Sequence, residues 1–600
     1  MLGATSCFNL DKMPEGVISS AEPFKSTNEM VSYVNQFYES GLRGIGWSTG
    51  ADGGTIAEYD TSSDNMVGRS LITRLNGMVS VGGAVKLTNY TYIRNVNFLL
   101  NNLDNCPNEK GSAAYNQVVG EAYYFRAWYY YRMFVDYGPL AWVETLLDPS
   151  LEATRLPRES RTFITDKILA DLDTAAGLLS KKTNCAGMRI HKDVALALKS
   201  EVALFEATWE KYHRAKNDAF WDKSITDQKI KDYLQQAIDA AEEIDGWSIY
   251  TGAGDDSYRK MFQTEDLSSN PEVLWFKRYN AAEGVGNNVN RYLNWGGGEA
   301  GITSSLVDDY LTADGKPLSA SELLELKKTY GNEFENRDPR LKQTICTPGQ
   351  ILRPDYEDGY GWPKGYPPIG SSNPQASGAF HTTSTGYSLL KYIQIDYTGD
   401  LDQEWQGSTP AIQFRYADVL LNLAEAYAEL DDMDGSNAHN DDIIAAVQPL
   451  RDRVGMPAMD FSREFNNDPS YPFHDLPQTI QAVRRERRVE KACEGRRFED
   501  ILRWAAADKL IVGYTPQGVL YKGSNLENVY FNGDTPMLTE GVNLFLSGSS
   551  SDEYRYLLPM NYHDAMPNGY QFRESCDYLR PIQQRMLQLT GNLWEQNPGW

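Results

Sequence analysis

Six hundred residues exceed what one hydrophobic core needs, so the length points to several packed units or one extended solenoid. The composition is that of a folded chain, 41% hydrophobic and 23% charged, and a net charge of −25 argues against nucleic acid or an acidic membrane surface as partner. The 37 tyrosines and 13 tryptophans outnumber 21 phenylalanines, a bias that suits partly wet faces, including those that contact sugars or peptides. Six cysteines without a CxxC pair and six histidines without HExxH spacing give no metal site, and no cofactor is expected.

The chain opens on MLGATSC, in which small Ala4, Thr5 and Ser6 precede Cys7. That pattern looks like the tail of a bacterial lipoprotein signal, with Cys7 as the lipidation site; the apolar core of a full signal is expected upstream. No later segment reaches the ~18–20 consecutive apolar residues of a membrane-spanning helix, so a membrane would be met through an anchor. A first helix follows within Phe8–Tyr38, capped by Ser26 or Thr27, with Met30, Val34 and Phe37 or Tyr38 inward. Gly41–Asp64 is a polar loop carrying Trp47 and Tyr59.

Between Asn89 and Leu103, the residues Tyr92, Val96, Leu99, Leu100 and Leu103 share one helical face. Asn116–Trp142 is aromatic all round, from Tyr123 to Phe134, which predicts a helix buried on several sides and broken at Gly138 and Pro139. Helices are expected at Thr162–Leu179, Lys192–Tyr212 and Ile230–Ile244, recurring at the spacing of tetratricopeptide-like pairs. Helical periodicity fades between Trp247 and Thr409, where Val273–Phe276 and Leu389–Ile393 read as short strands.

It returns in Gln413–Leu430, whose stripe is Tyr416, Val419, Leu420, Leu423, Tyr427 and Leu430. In Val483–Trp504 basic and acidic residues alternate. The spacing predicts surface pairs Arg487–Glu490, Lys491–Glu494 and Glu499–Arg503 on a helix laced with its own ions, and a break at Gly495. The expected fold is therefore mostly α: a tetratricopeptide-like scaffold over about 8–246 and 410–512, an inserted loop-rich lobe with short strands over about 247–409, and a loop-rich close over 513–600.

No nucleophile elbow, P-loop or dinucleotide fingerprint occurs; GWSTG (Gly46–Gly50) transposes Ser and Trp relative to GxSxG. Adjacent acids such as Asp308/Asp309 are expected to be solvated pairs, whereas glycoside hydrolysis needs acids converging from separate elements. For binding, Arg291–Tyr292–Leu293–Asn294–Trp295 before three glycines combines stacking faces, hydrogen-bonding groups and close backbone approach. Tyr360 and Trp362 in DGYGWPKGYPP form a second candidate.

Arg415–Leu430, LRDRVGMP (Leu450–Pro457), ERRVEKACEGRRFEDILRW (Glu486–Trp504) and terminal QNPGW resemble, in order, the C-terminal signatures of the SusD/RagB family. EAYYFRAWYYYRMFVDYGPLAW (Glu121–Trp142) and LVDDYLTADGKPL (Leu306–Leu318) extend the resemblance upstream. It implies an outer-membrane, cell-surface lipoprotein that binds an oligosaccharide without catalysis and delivers it to a SusC-like TonB-dependent transporter. By position it directs ligand contacts to Tyr292, Asn294 and Trp295, and to Trp47, Asp64, Asn65 and Arg69. The alternatives are the same fold with a peptide ligand, as in the RagB branch, a glycoside hydrolase of helical fold, or a cytosolic helical-repeat adaptor.

Overall fold

The computed structural model describes residues 23–46, 56–68, 70–83, 87, 89–147, 155–184, 188–293, 300–353, 360–361, 366–367, 369, 383–395, 403–559 and 566–600. Cys7, Trp47, Arg69, Asn294, Trp295 and Trp362 lie outside these residues, as does the side chain of Tyr360. Among the described residues the chain is mostly helical, with a few short two-stranded pairings, as its periodicity predicts. None of these helices is long and apolar enough to cross a membrane.

The helices of twelve or more residues are α1 (Thr27–Gly41), α2 (Asn89–Leu100), α3 (Ala113–Tyr137), α4 (Arg161–Leu178), α5 (Lys192–Lys216), α6 (Asp227–Glu242), α7 (Tyr416–Asp434), α8 (Asn440–Asp452) and α9 (Gln478–Glu490). Ser26, Ser112, Ser160 and Thr226 each accept the backbone N–H three residues on, which satisfies an amide left open at a helix start. Met30, Val34 and Phe37 are the buried face of α1; α2 buries Ile93, Val96 and Leu99 and ends before Leu103. In α3 nearly every aromatic is buried: Tyr129 stacks on Tyr92 at 5.0 Å between centroids and Tyr130 on Trp142 at 4.1 Å. Gly138 closes that helix at φ +67°.

From α2 to α7, each helix packs on the one before, and α8 packs on α7. The step from α6 to α7 spans the chain between them. Strands Val273–Lys277 and Ala411–Arg415 pair antiparallel, with Val273 opposite Arg415, and return the chain to the stack. Three residues expected to open α7, Gln413–Arg415, therefore belong to a strand. Arg415 is extended at φ −134° and acts as the helix N-cap, its amide donating to Asp418 Oδ2 at 2.9 Å. Leu389–Ile393 is not a strand: Leu389 makes one bridge to Ile345, and the chain then turns so that Lys391 reaches the Glu494 carboxylate.

The apolar interior forms two main bodies. One is built on the helix stack. The other gathers Tyr258, Tyr310, Tyr387 and neighbours from the region between α6 and α7 with Val519 and Leu557. Helix α9 serves both, with Val483 in the first and Val489 in the second. It is buried along its length except near its start, so its charges cannot be a solvated lattice.

Two of the three expected intrahelical pairs are replaced by long-range ones. Arg487 reaches Asp500 at 2.9 Å, while Glu490 is shared by Arg453 at 2.6 Å, Arg415 at 2.7 Å and Arg340 at 2.9 Å. Glu499 pairs with Arg132 and Arg503 with Glu425, both at 2.6 Å. Lys491–Glu494 forms at the predicted spacing, at 2.6 Å, but buried, and Lys491 also binds Asp418. The reason is dielectric: a buried guanidinium must have its donors matched by carboxylates or carbonyls, and the partners within one turn supply too few. Gly495 makes the expected break at φ +70°, and a Cβ there would stand 2.6 Å from Arg43 Nη2 and 2.9 Å from the Ile56 carbonyl.

Candidate ligand-binding cavity

Helix α9 presents Arg485 and Arg488 toward a cavity of about 400 Å³. The short helix Ser304–Asp309, the helix Ala320–Lys327 and the loop 466–473 form its walls, with Tyr514 and Tyr556 from the C-terminal region. Ser304–Asp309 is held against α9 by Arg488, which donates to the Ser305 carbonyl at 3.2 Å and binds Asp309; Thr303 caps the short helix and donates to the Asp64 carbonyl at 2.6 Å.

The floor is charged, with three arginines set against two aspartates. Arg488 binds Asp309 at 3.0 Å and Asp64 at 2.9 Å, and Arg497 binds Asp64 at 2.7 Å. Arg485 reaches Asp309 at 3.3 Å and lies over the Tyr471 ring, 5.0 Å from its centroid. Burial pushes the Asp64 carboxyl up, but Arg488 and Arg497 together pull it down to about 2. Asp309 is likewise held below the usual range, where Arg488 and Arg485 outweigh the effect of burial. Both acids therefore stay ionised at neutral pH, unlike the protonated acid that glycoside hydrolysis requires.

The walls are aromatic. Tyr471 donates to Asp309 Oδ1 at 3.1 Å, and burial raises its phenol to about 12. Burial also raises Tyr514 and Tyr556. These three rings are half-buried, so each keeps part of its surface open. At the side, Asp308 accepts from Ser304 Oγ at 3.2 Å and from Lys327 Nζ at 2.8 Å. Aromatic side chains beside a polar floor suit a polar ligand with an apolar face, and the volume is within the ~300–1,000 Å³ usual for small-ligand sites.

Of the residues singled out from sequence, the structure brings Asp64 to this cavity, 1% exposed and committed to two arginines. Asn65 lies beside it in the interior, accepting from Arg488 Nε at 2.9 Å and donating to Asp60 at 3.0 Å. Arg291 and Tyr292 do not line the cavity; they are half-buried on the short helix Val289–Leu293. Tyr360 sits in the strand Tyr360–Gly361, paired with Ile351–Arg353. The cavity residues that sequence reading passed over are Tyr471, Tyr514, Tyr556 and Lys327. They come from four segments with no shared spacing, so no local pattern announces them.

Residues 271–600 match the family model described as the SusD family. Residues 46–204 match one described as starch-binding associating with outer membrane. No curated protein matches the chain. Among solved structures, a SusD-like carbohydrate binding protein from Bacteroides fragilis is 19% identical, with 95% of this chain and 99% of that one covered and a TM-score of 0.68. A laminarin binding SusD-like protein is 18% identical over 96% and 100%, TM-score 0.55. Surface glycan-binding protein A from Bacteroides fluxus is 16% identical over 96% and 100%, TM-score 0.56. At these identities the structures speak for the fold, and the family model, covering more than half the chain, speaks for kinship: the chain belongs to the SusD family.

Proposed function

We propose that this protein binds an oligosaccharide at the bacterial cell surface and hands it, uncleaved, to a SusC-like TonB-dependent transporter in the outer membrane, where lipid on Cys7 tethers it. The observation that carries the ligand class is the cavity over α9, which the half-buried Tyr471, Tyr514 and Tyr556 line above a floor of arginines held by Asp64 and Asp309. A sugar ring has apolar CH faces for such rings and hydroxyls for the polar groups.

Family membership supports the transporter partnership, and the model description "associating with outer membrane" for residues 46–204 supports the location. In this reading the helix stack of 8–246 and 410–512 is the scaffold, and 247–409 is the lobe that frames the ligand. Trp295, Asn294, Trp47, Arg69, Tyr360 and Trp362 remain proposed contacts.

Calorimetric titration of the chain lacking Cys7 with plant, host and microbial glycans and with short peptides tests the reading. One glycan is expected to bind, and Tyr556→Ala is expected to weaken it by roughly 2- to 13-fold, the worth of one aromatic contact. Loss in Trp295→Ala with Tyr556→Ala intact moves the site to the loop before Leu306. A peptide that binds while every glycan stays silent replaces the glycan reading, and turnover of a bound glycan removes the non-catalytic one.

A further inference from the structure

Trp405 combines two features that a fold ordinarily avoids. It is 58% exposed, the one described tryptophan more than a third open to solvent, and its backbone is left-handed at φ +59°. Bulky residues are rare in that region because Cβ crowds the backbone, and glycine is the residue that enters it freely. Strain of this kind persists where surrounding contacts over-determine it, and it concentrates at ligand sites.

The surrounding contacts are specific. The Trp405 amide donates to Asn288 Oδ1 at 2.7 Å. Asn287 and Gly407 exchange backbone hydrogen bonds of 2.9 and 3.0 Å, and Asn287 Nδ2 donates to the Thr409 carbonyl at 2.9 Å. Gly286 passes so close that a Cβ there would lie 1.8 Å from the Trp405 carbonyl oxygen. The loop is thus clamped to residues 286–288, while the indole it carries is left open. Gln403, Glu404 and Gln406 flank it and are exposed. The clamp leads directly into Val289–Leu293, the short helix that bears Arg291 and Tyr292.

We propose that Trp405 is a preformed stacking platform for a pyranose ring of the bound glycan, with the flanking amides and carboxylate available to its hydroxyls. The platform lies outside the lining of the cavity over α9 and is a separate contact for the saccharide chain. It rests on the glycan reading above, and the clamp serves it: a loop whose backbone is held before binding loses little freedom when a sugar settles on its indole.

The test uses Trp405→Gly and Trp405→Phe in the full chain, titrated with glucose-, mannose- and xylose-based oligosaccharides and followed in parallel by thermal melting. Glycine removes the ring and relieves the backbone, so affinity should fall by roughly 2- to 13-fold while the melting midpoint holds or rises; phenylalanine should bind between the two. Affinity of Trp405→Gly equal to that of the unaltered chain removes the platform and leaves the glycan reading standing. Affinity and midpoint falling together assign Trp405 a structural role and also remove it. An unaltered chain that binds none of these sugars removes the glycan reading itself, and the platform with it.

Discussion

Replacing Arg415 by methionine is the most direct probe of the ionic interior. Arg415 is fully buried and donates five hydrogen bonds: two to Glu494 at 3.0 and 2.6 Å, one each to Glu272 and Glu490 carboxylates at 2.8 and 2.7 Å, and one to the Glu490 carbonyl at 2.9 Å. Methionine fills the volume but supplies no donor, and three buried carboxylates lose a counter-charge together. Removing one partner from a buried ionic cluster costs about 3–5 kcal/mol. The penalty is kept to that range because Glu490 retains Arg340 and Arg453, Glu272 retains Arg453, and Glu494 retains Lys391 and Lys491. For a chain of this length unfolding as one unit, the entropy of melting is about 1.3 kcal/mol per degree, so scanning calorimetry should record a fall of about 2–4 °C. Arg415→Lys, which keeps the charge with fewer donors, should fall between. Pairing Arg415→Met with Glu490→Gln should cost less than the sum of the two by ~0.5–3 kcal/mol, since each removes part of the same interaction. A midpoint for Arg415→Met within about 1 °C of the unaltered chain, or strict additivity in the double variant, would refute the claim that these charges hold one another.

Three further outcomes follow from the same geometry. Asp64, Glu490 and Glu494 are buried, yet their cations hold them below the usual range, Asp64 at about 2. A depressed acid stabilises the fold above its unfolded value and loses that stabilisation as pH falls through the folded one, so melting midpoints should drop steadily from about pH 4.5 toward pH 2, and equal midpoints at pH 7 and pH 3 would contradict this. Glu333 has the opposite sign: burial raises it to about 7, so its contribution is full below about pH 4.5 and lost on passing pH 7. Glu333→Gln should therefore gain up to about 3 kcal/mol relative to the unaltered chain between pH 5 and pH 8 in urea titrations, and a constant difference would count against it. Gly495→Ala should destabilise by about 1–3 kcal/mol in the same titrations, because φ +70° and the approach of Arg43 and Ile56 both oppose a Cβ; an unchanged midpoint would show that the turn relaxes.

Sequence alone determined the parts that depend on neighbours along the chain. The aromatic girdle of α3, the caps at Ser26 and the inward stripe of α1, the strand at Val273 and the break at Gly495 all follow from periodicity, a hydroxyl three residues before an amide, or a residue without a Cβ. Family signatures in Arg415–Leu430 and Glu486–Trp504 were legible for the same reason, and they brought the fold with them.

Tertiary structure alone decided where the charges go. Spacing on α9 proposed Arg487–Glu490, but Arg487 turned to Asp500, and Arg497 found Asp64 across 433 residues of chain. A helix surface rewards partners one turn away only weakly, whereas a buried guanidinium accepts whichever carboxylates the packed elements deliver. The cavity has the same origin: its walls come from segments between Asp64 and Tyr556 that share a place and no pattern. So does Trp405, one tryptophan among thirteen in composition, which becomes a candidate contact because Gly286 and Asn288 hold its backbone where only the folded chain can put it.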